Sequence, residues 1–291
     1  MKIAGFTFIR NAVKNDYSII EAITSILPIC DEFVIAHGNS DDDTLQLLKS
    51  IDSPKIKIIE TVWDDSVREG GRTFALETDK AFKAISPDVD WAFYIQGDEC
   101  VHEDDLNVIL QAIKEHQEND QVEALLFKYR HFYGSFDYIA TSRRWYRKEI
   151  RLVRFNPLVH SYKDAQGFRK EGKKLQVKEI SAYIFHYGWV KPPTGLNQKV
   201  RNFTQFYHDE AWVAENVPAN YEFDFGNAEM LKGFTGTHPK VSQSRIKAQN
   251  WNFDFDPAAL RSKMSLRRKV LQKIADWTGW RIGEYKNYKL I

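Results

Sequence analysis

Two carboxylates, Asp98 and Glu99, follow Gln96-Gly97 directly behind the apolar run WAFYI at 91–95. A hard divalent cation prefers oxygen ligands and leaves part of its shell to substrate phosphates, so a single Asp at a strand end can hold one. Gly97 lets a ligand approach the backbone closely. A carboxylate here could also cap the next helix, but Glu103, Asp104 and Asp105 stand nearer to that helix and can cap it instead. A second acidic group is His37-Gly38-Asn39-Ser40-Asp41-Asp42-Asp43-Thr44. The helix dipole alone favours carboxylates at such a turn. A nucleoside bound there would also need acceptors for its base and ribose, so capping and recognition both stand open.

The elements around these residues follow a regular pattern. Residues 3–9, 32–37, 55–60 and 91–95 are short apolar, β-branched and aromatic runs, predicted as strands. Between them the spacing predicts helices over 16–27, capped by Asp16, then one carrying Leu45, Leu47 and Leu48, then 72–85, and a fourth over 103–116. Strand–helix alternation with short loops implies an α/β layer with a mostly parallel sheet, and ligands of such sheets sit beyond the strands' carboxyl ends. The polar clusters fall at those ends: Arg10-Asn11, the 37–43 turn, the Trp63–Arg72 loop with Asp64, Asp65, Gly70 and Gly71, and Gln96–Glu99. Beyond residue 121 the pattern changes. Strands are predicted over 122–129, 151–155 and 177–187, a helical stretch over 196–215, an irregular one over 216–257, and a basic helix over 260–277. That helix carries Leu266, Val270, Ile274 and Trp277 on one face, and residues 258–291 hold nine Lys/Arg against two Asp/Glu. The seam is expected to pack on the parent domain, with an anionic membrane as the other possible contact.

The 41 Lys+Arg and 40 Asp+Glu leave a net charge of +1, which removes any global electrostatic case for nucleic acid. Two cysteines allow no disulfide framework and no Cys-rich zinc site, and favour a reducing compartment. The apolar start ends at Arg10, and no stretch reaches the ~18 uncharged residues of a span, so a cytoplasmic protein is expected. Aromatic residues make up 14% of the chain, with 8 Trp, which suits either a large core or a cleft that stacks on a base or a sugar.

Phe6-Thr7-Phe8-Ile9-Arg10-Asn11, the 37–44 turn and Gln96-Gly97-Asp98, in this order and spacing, resemble the inverting family-2-type glycosyltransferases of the GT-A fold. The resemblance covers about residues 3–190. It implies a GT-A-like domain over 1–190, with helices on both faces of the sheet and a mainly helical C-terminal extension over 191–291. The implied activity moves a sugar from a nucleotide-diphosphate donor to an acceptor hydroxyl of a glycan or glycolipid with inversion, in bacterial-type surface polysaccharide or glycolipid synthesis. His37 and Gly38 stand where the family often has paired Asp, which leaves Asp42 as the best-matched carboxylate of the turn. Gln96 stands where the metal motif has its first Asp, and Asp98 matches the second.

The resemblance assigns donor contacts to Thr7, Arg10, Asn11, Asp42, Gln96, Gly97 and Asp98. It assigns a divalent cation, Mn2+ or Mg2+, to Asp98 and to His186, the start of His186-Tyr187-Gly188-Trp189. It makes Asp164 in the 161–169 loop the base, with Glu171 in reserve. A departing diphosphate gains negative charge, which a metal or basic side chains must neutralise. Arg72 and the group Arg143, Arg144, Arg147 and Arg151 are the candidates. His102, His131, His160 and His208 are given no role. Two other classes are weighed: a nucleotidyltransferase on a related α/β fold, disfavoured because no Gly follows the first strand in Ile9-Arg10-Asn11-Ala12-Val13-Lys14, and a non-catalytic nucleotide- or sugar-binding module. No G-x-G-x-x-G follows a predicted strand, which disfavours a dinucleotide dehydrogenase.

Overall fold

A computed structural model of the chain describes residues 1–64, 66–67, 70–218, 223, 225, 230–253 and 264–291. Asp65, parts of the irregular 216–257 stretch and residues 260–263 of the expected basic helix lie outside the described residues.

The first half follows the predicted alternation. Strand β1 (Ile3–Ile9) leads to α1 (Ile19–Ile26), β2 (Glu32–His37) to α2 (Thr44–Lys49), β3 (Ile56–Glu60) to α3 (Arg72–Lys83), and β4 (Trp91–Tyr94) through a short β5 (Glu99–Val101) to α4 (Leu106–His116). Strands β1, β2 and β4 are almost wholly buried because helices cover both faces of the sheet, while β3 at the edge keeps Lys57 and Glu60 exposed. On one face Ile19, Ile23 and Ile26 of α1 and Ile109 and Ile113 of α4 pack on Phe33, Trp91 and Phe93. On the other, Phe74, Ala81 and Phe82 of α3 pack on Phe6, Val34 and Tyr94. Each such side chain contributes roughly 1.5–3 kcal/mol on burial. Asp16 does not cap α1: it sits at φ 46° and pairs with Arg245, while Ser18 occupies the N-cap.

The second half adds β6 (Ala124–Tyr133), β7 (Ser135–Ala140), β8 (Lys148–Arg154), the hairpin β9 (Val159–Tyr162) and β10 (Gly167–Lys170), β11 (Lys173–Lys174) and the long β12 (Gln176–Trp189). Then come α5 (Pro193–Thr204), α6 (Glu210–Asn216), β13 (Leu231–Gly233), α7 (Gln243–Lys247), α8 (Leu266–Thr278) and β14 (Lys289–Leu290). One path through the main sheet runs β13-β7-β6-β8-β4-β1-β2-β3, with β12 on the other edge of β6. Strands β3, β2, β1 and β4 are parallel, β8 pairs antiparallel with both β4 and β6, and β12 runs parallel to β6. The sheet is thus parallel in its first half and mixed beyond. This is the GT-A-like α/β layout with helices on both faces that the resemblance implies.

Two features depart from expectation. The loop after residue 155 is a small three-stranded sheet, β11-β10-β9, packed through Val159 and Phe168 on the α3 face. The basic helix α8 turns the other way round: Gln272 and Ala275 face inward, while Leu266, Val270 and Trp277 are exposed. The reason is polar. The 141–147 loop offers backbone groups, and Arg143 N–H donates to Gln272 Oε1 at 3.0 Å while the Arg143 guanidinium donates to Leu271 O. Among the described residues, no helix is long and apolar enough to cross a membrane.

Candidate active site

The carboxyl ends of β1, β2 and β4 open on a cleft of about 800 Å3, where the alternation predicts a site. Arg10 and Asn11 extend from β1, Asp41 follows β2, and Gln96, Gly97 and Asp98 follow β4. Opposite stand His186, Gly188 and Trp189 of β12, Tyr146, and Asp164 of the β9–β10 turn. Helix α5 closes one side with Leu196, Lys199, Asn202 and Phe203. The turns after β1 and β2 are stitched together: Asn11 N–H donates to Ser40 Oγ at 2.9 Å, Asp41 N–H to Asn11 Oδ1 at 3.0 Å, and Ala12 N–H to Thr44 Oγ1 at 2.7 Å.

Asp98 lies at the bottom of the cleft. Its Oδ2 accepts from Lys199 Nζ at 2.7 Å and lies 3.8 Å from His186 Nε2. Strand β5 brings these together, because Glu99 stands opposite His186 in its antiparallel pairing with β12. Burial alone would raise the Asp98 carboxyl, but the Lys199 ammonium overrides it and holds Asp98 well below the usual carboxylate range. Burial would also lower Lys199, but Asp98 keeps it raised, so the pair is ionised at neutral pH. Burial lowers His186 in spite of the Asp98 charge, and it holds His131 well below its ordinary value.

The two imidazoles are 3.2 Å apart through their Nδ1 atoms, and His131 Nε2 is 2.7 Å from Tyr146 O. A carbonyl only accepts, so His131 Nε2 carries the proton and its Nδ1 accepts from His186 Nδ1–H. That tautomer leaves His186 Nε2 with a lone pair turned toward Asp98 and Lys199. Gly188 completes the arrangement: a Cβ there would lie 2.6 Å from Asp98 Oδ2, 2.8 Å from His186 Nε2 and 2.9 Å from Lys199 Nζ. The glycine keeps a space where a carboxylate, an imidazole lone pair and an ammonium converge. The carboxylate oxygen and the oriented imidazole fit two positions of a divalent-ion shell. Lys199 holds the same oxygen, so an ion and the ammonium are alternatives there. Among the described residues, the only three-member group of potential ligands is His102, Glu103 and Asp104, away from this cleft.

Aromatic rings line the cleft toward α3. Phe8 lies 5.7 Å from Trp63, Trp63 lies 5.5 Å from Phe206, and Phe74 stacks on Phe203 at 5.4 Å and 10°. The Arg10 guanidinium stands 5.5 Å over Trp63. Gly38 permits this packing, since a Cβ there would sit 2.3 Å from Trp63 Nε1. Such a wall suits the face of a base or a sugar. Asp164 accepts from Tyr207 Oη–H at 3.1 Å, and Gly71, at φ 71°, allows both to approach.

Of the residues read from the sequence, Arg10, Asn11, Gln96, Gly97, Asp98, Asp164 and His186 meet in this cleft. Of the others, Arg151 also lines it and the rest lie elsewhere. Thr7 is fully buried in mid-strand, below the rim. Asp42 does not line the cleft; its carboxylate oxygens accept from Lys14 N–H at 2.8 Å and from Thr44 N–H at 3.0 Å, while Asp43 occupies the N-cap of α2. Arg72 opens α3 on the exposed side and Arg144 is exposed on the 141–147 loop; neither lines the cleft. Arg143 and Arg147 bind the C-terminal extension, Arg147 pairing with Glu284 at 2.8 Å. Arg151 touches the cleft but is fully committed, with two bonds to Glu99 at 2.8 Å and others to Ile150 O, Gln166 O and Gln96. Tyr129 Oη–H donates to the same Glu99 at 2.7 Å. This buried group ties β8 to the start of β5 and leaves no guanidinium donor for a phosphate. Glu171 is exposed in the β10–β11 turn.

The sequence offers no sign of Lys199, of His131 or of the α5 side of the aromatic wall, Phe203 and Phe206. Lys199 sits in the predicted helical stretch with nothing local to mark it, and His131 acts only through His186. The phenylalanines at 203 and 206 have the spacing of an ordinary core face.

No protein-family profile matches the chain, and no curated protein matches it by sequence. Among solved structures it is similar to S. aureus TarS 1-349, at 15% identity and TM-score 0.40 over 79% of this chain and 72% of that one. The UDP-GlcNAc complex of that protein gives 14% identity and TM-score 0.41 over 79% and 70%. It is also similar to glucosyl-3-phosphoglycerate synthase from Mycobacterium tuberculosis in complex with Mn2+, UDP and phosphoglyceric acid, at 17% identity and TM-score 0.30 over 45% and 43%. Likenesses this distant assign neither a family nor a ligand.

Proposed function

We propose that the chain is a glycosyltransferase that moves a sugar from a nucleotide-diphosphate donor to an acceptor hydroxyl with inversion, in surface polysaccharide or glycolipid synthesis. The observation that carries this reading is the convergence of Asp98, His186 and Lys199 beside Gly188, at the floor of a cleft whose other wall is aromatic. The nucleoside lies along Phe8, Arg10 and Trp63, with Asn11 and Gln96 offering hydrogen bonds. The diphosphate meets Lys199, whose ammonium takes up negative charge as the glycosyl bond breaks. Preorganised donors of this sort typically lower a barrier by roughly 2.7–4 kcal/mol.

Asp164 accepts the proton of the acceptor hydroxyl, whose oxygen forms the new bond to the anomeric carbon from the opposite face. The diphosphate leaves with the electron pair of the old bond, so configuration inverts. Tyr207 holds the Asp164 carboxylate in place through its 3.1 Å hydrogen bond. In place of the Lys199 contact to Asp98, Asp98 and His186 would hold a divalent cation, which when bound would supply Lewis-acid neutralisation of the diphosphate and free the ammonium to face it; a mixed carboxylate and imidazole pair suits Mn2+ better than Mg2+. A thermal-shift panel of nucleotide sugars, with and without Mn2+, tests the reading. Stabilisation by one nucleoside-diphosphate sugar, followed by release of its nucleoside diphosphate in the presence of acceptor, supports it. Stabilisation by nucleoside triphosphate with pyrophosphate release, or by free sugar alone, refutes it.

A further inference from the structure

Helix α8 presents its apolar stripe to solvent. Leu266 is 79% exposed, Val270 50% and Trp277 90%, and Trp280 just past the helix is 64% exposed. At 100° per residue, Leu266, Val270 and Trp277 fall within about 40° of arc. Exposed Lys269 and Lys273 flank this arc on one side and exposed Arg267 on the other. Over Leu266–Thr278 there are four basic residues and one acid, Asp276. The helix is well formed: Ser265 caps its N-terminus and Gly279, at φ 71°, ends it. Its inner side is fixed by polar contacts, Gln272 to Arg143 and Arg147 to the Gly279 carbonyl and Glu284. A monomeric protein in water rarely fixes Trp and Leu outward on an ordered helix.

We infer that this face docks in the plane of an anionic lipid surface. Apolar side chains enter the headgroup boundary along a helix about 20 Å long, while Lys269 and Lys273 on one flank and Arg267 on the other reach the lipid phosphates. The positive charge beside the stripe is what selects an anionic membrane over a protein partner's neutral groove. The loop that anchors α8, residues 141–147, also carries Tyr146 to the cleft, so docking brings the cleft rim near the membrane. A glycolipid acceptor would then meet the site where it resides; this last point rests on the glycosyltransferase reading, whereas the docking does not.

The test is co-sedimentation of the full chain with vesicles of phosphatidylcholine alone and of phosphatidylcholine with about a quarter phosphatidylglycerol. The expected result is retention on the anionic vesicles only, falling with salt. Replacing Lys269 and Lys273 by Ser weakens retention roughly twenty-five-fold, at about fivefold per charge. Trp277→Ala weakens it on the order of tenfold. Because these side chains are exposed, melting temperatures and nucleoside-diphosphate binding of the variants stay at the native values, which separates this inference from the catalytic reading. Equal retention on both vesicles, retention on neither, or a dimer that Trp277→Ala converts to monomer overturns the inference.

Discussion

Replacing Lys199 by Met removes one partner of the Asp98 pair and keeps most of the buried volume. Stranding a buried charge typically costs roughly 3–5 kcal/mol. Asp98 has an escape, since it can take up a proton. From an ordinary value of 3.8, at 1.36 kcal/mol per unit, that costs about 4 kcal/mol at neutral pH. Both side chains keep 14% exposure, so water softens the loss to about 2–4 kcal/mol. For a chain of this size that is a melting-point drop of roughly 5–10 °C. The pH dependence has a definite sign. In the native protein Asp98 is depressed, so its contribution is present above the ordinary carboxylate range and lost as pH falls through its folded value. In Lys199→Met burial raises Asp98 instead, and the deficit shrinks as acid supplies the proton. The gap between native and variant melting points is therefore wider at about pH 7.5 than at about pH 5. The double variant Asp98→Asn with Lys199→Met loses less than the sum of the single variants. Differential scanning fluorimetry across pH reads all of this. A variant that melts with the native protein at neutral pH, or a gap that ignores pH, refutes the buried pair.

Glu149 is buried beside Arg151, and burial pushes its carboxyl up to about 8. A raised acid binds its proton more tightly in the folded state, so its contribution is lost as pH rises toward that value. Glu149→Gln should therefore melt higher than the native protein above about pH 8, by up to about 4 kcal/mol, and gain little near pH 5; urea melts at both pH values check it. Arg151→Met leaves Glu99 buried without its partner and should lose roughly 3–5 kcal/mol, measured by urea denaturation. Phe203→Ala removes a half-exposed ring that stacks on Phe74 at the cleft, so it should leave stability nearly unchanged and weaken nucleoside binding by roughly five- to tenfold in calorimetry. Lys199→Ala frees Asp98 Oδ2 and should strengthen Mn2+ binding by calorimetry, since ion and ammonium compete for that oxygen.

The first half of the fold was legible because each element carries its own signal. WAFYI is too short for an ordinary helix and ends at polar QGDE, which favours the buried strand seen over Trp91–Tyr94, and α3 shows its apolar stripe within one turn-to-turn repeat. The strand ends then located the cleft. What the sequence could not reveal were contacts across long separations. Lys199 and Asp98 are 101 residues apart and nothing in either segment marks the pair. Arg suits phosphate, which made Arg151 a candidate, but Glu99 at the start of β5 claims its donors. Nothing in the 37–44 turn tells that Asp42 bonds to the backbone of Lys14, 28 residues away. The stripe of α8 was read correctly as apolar, but periodicity does not say which way a stripe faces.

The central claim is that the cleft binds a diphosphate at Lys199 and a nucleoside along Trp63. Calorimetric titration of the native protein with uridine and guanosine diphosphates, each against its parent nucleoside, tests it directly. One diphosphate should bind at least about tenfold more tightly than its nucleoside, a gain of about 1.4 kcal/mol from the charged contact, and lose that gain in Lys199→Met. Equal affinities for diphosphate and nucleoside, or no binding of either, would contradict the account.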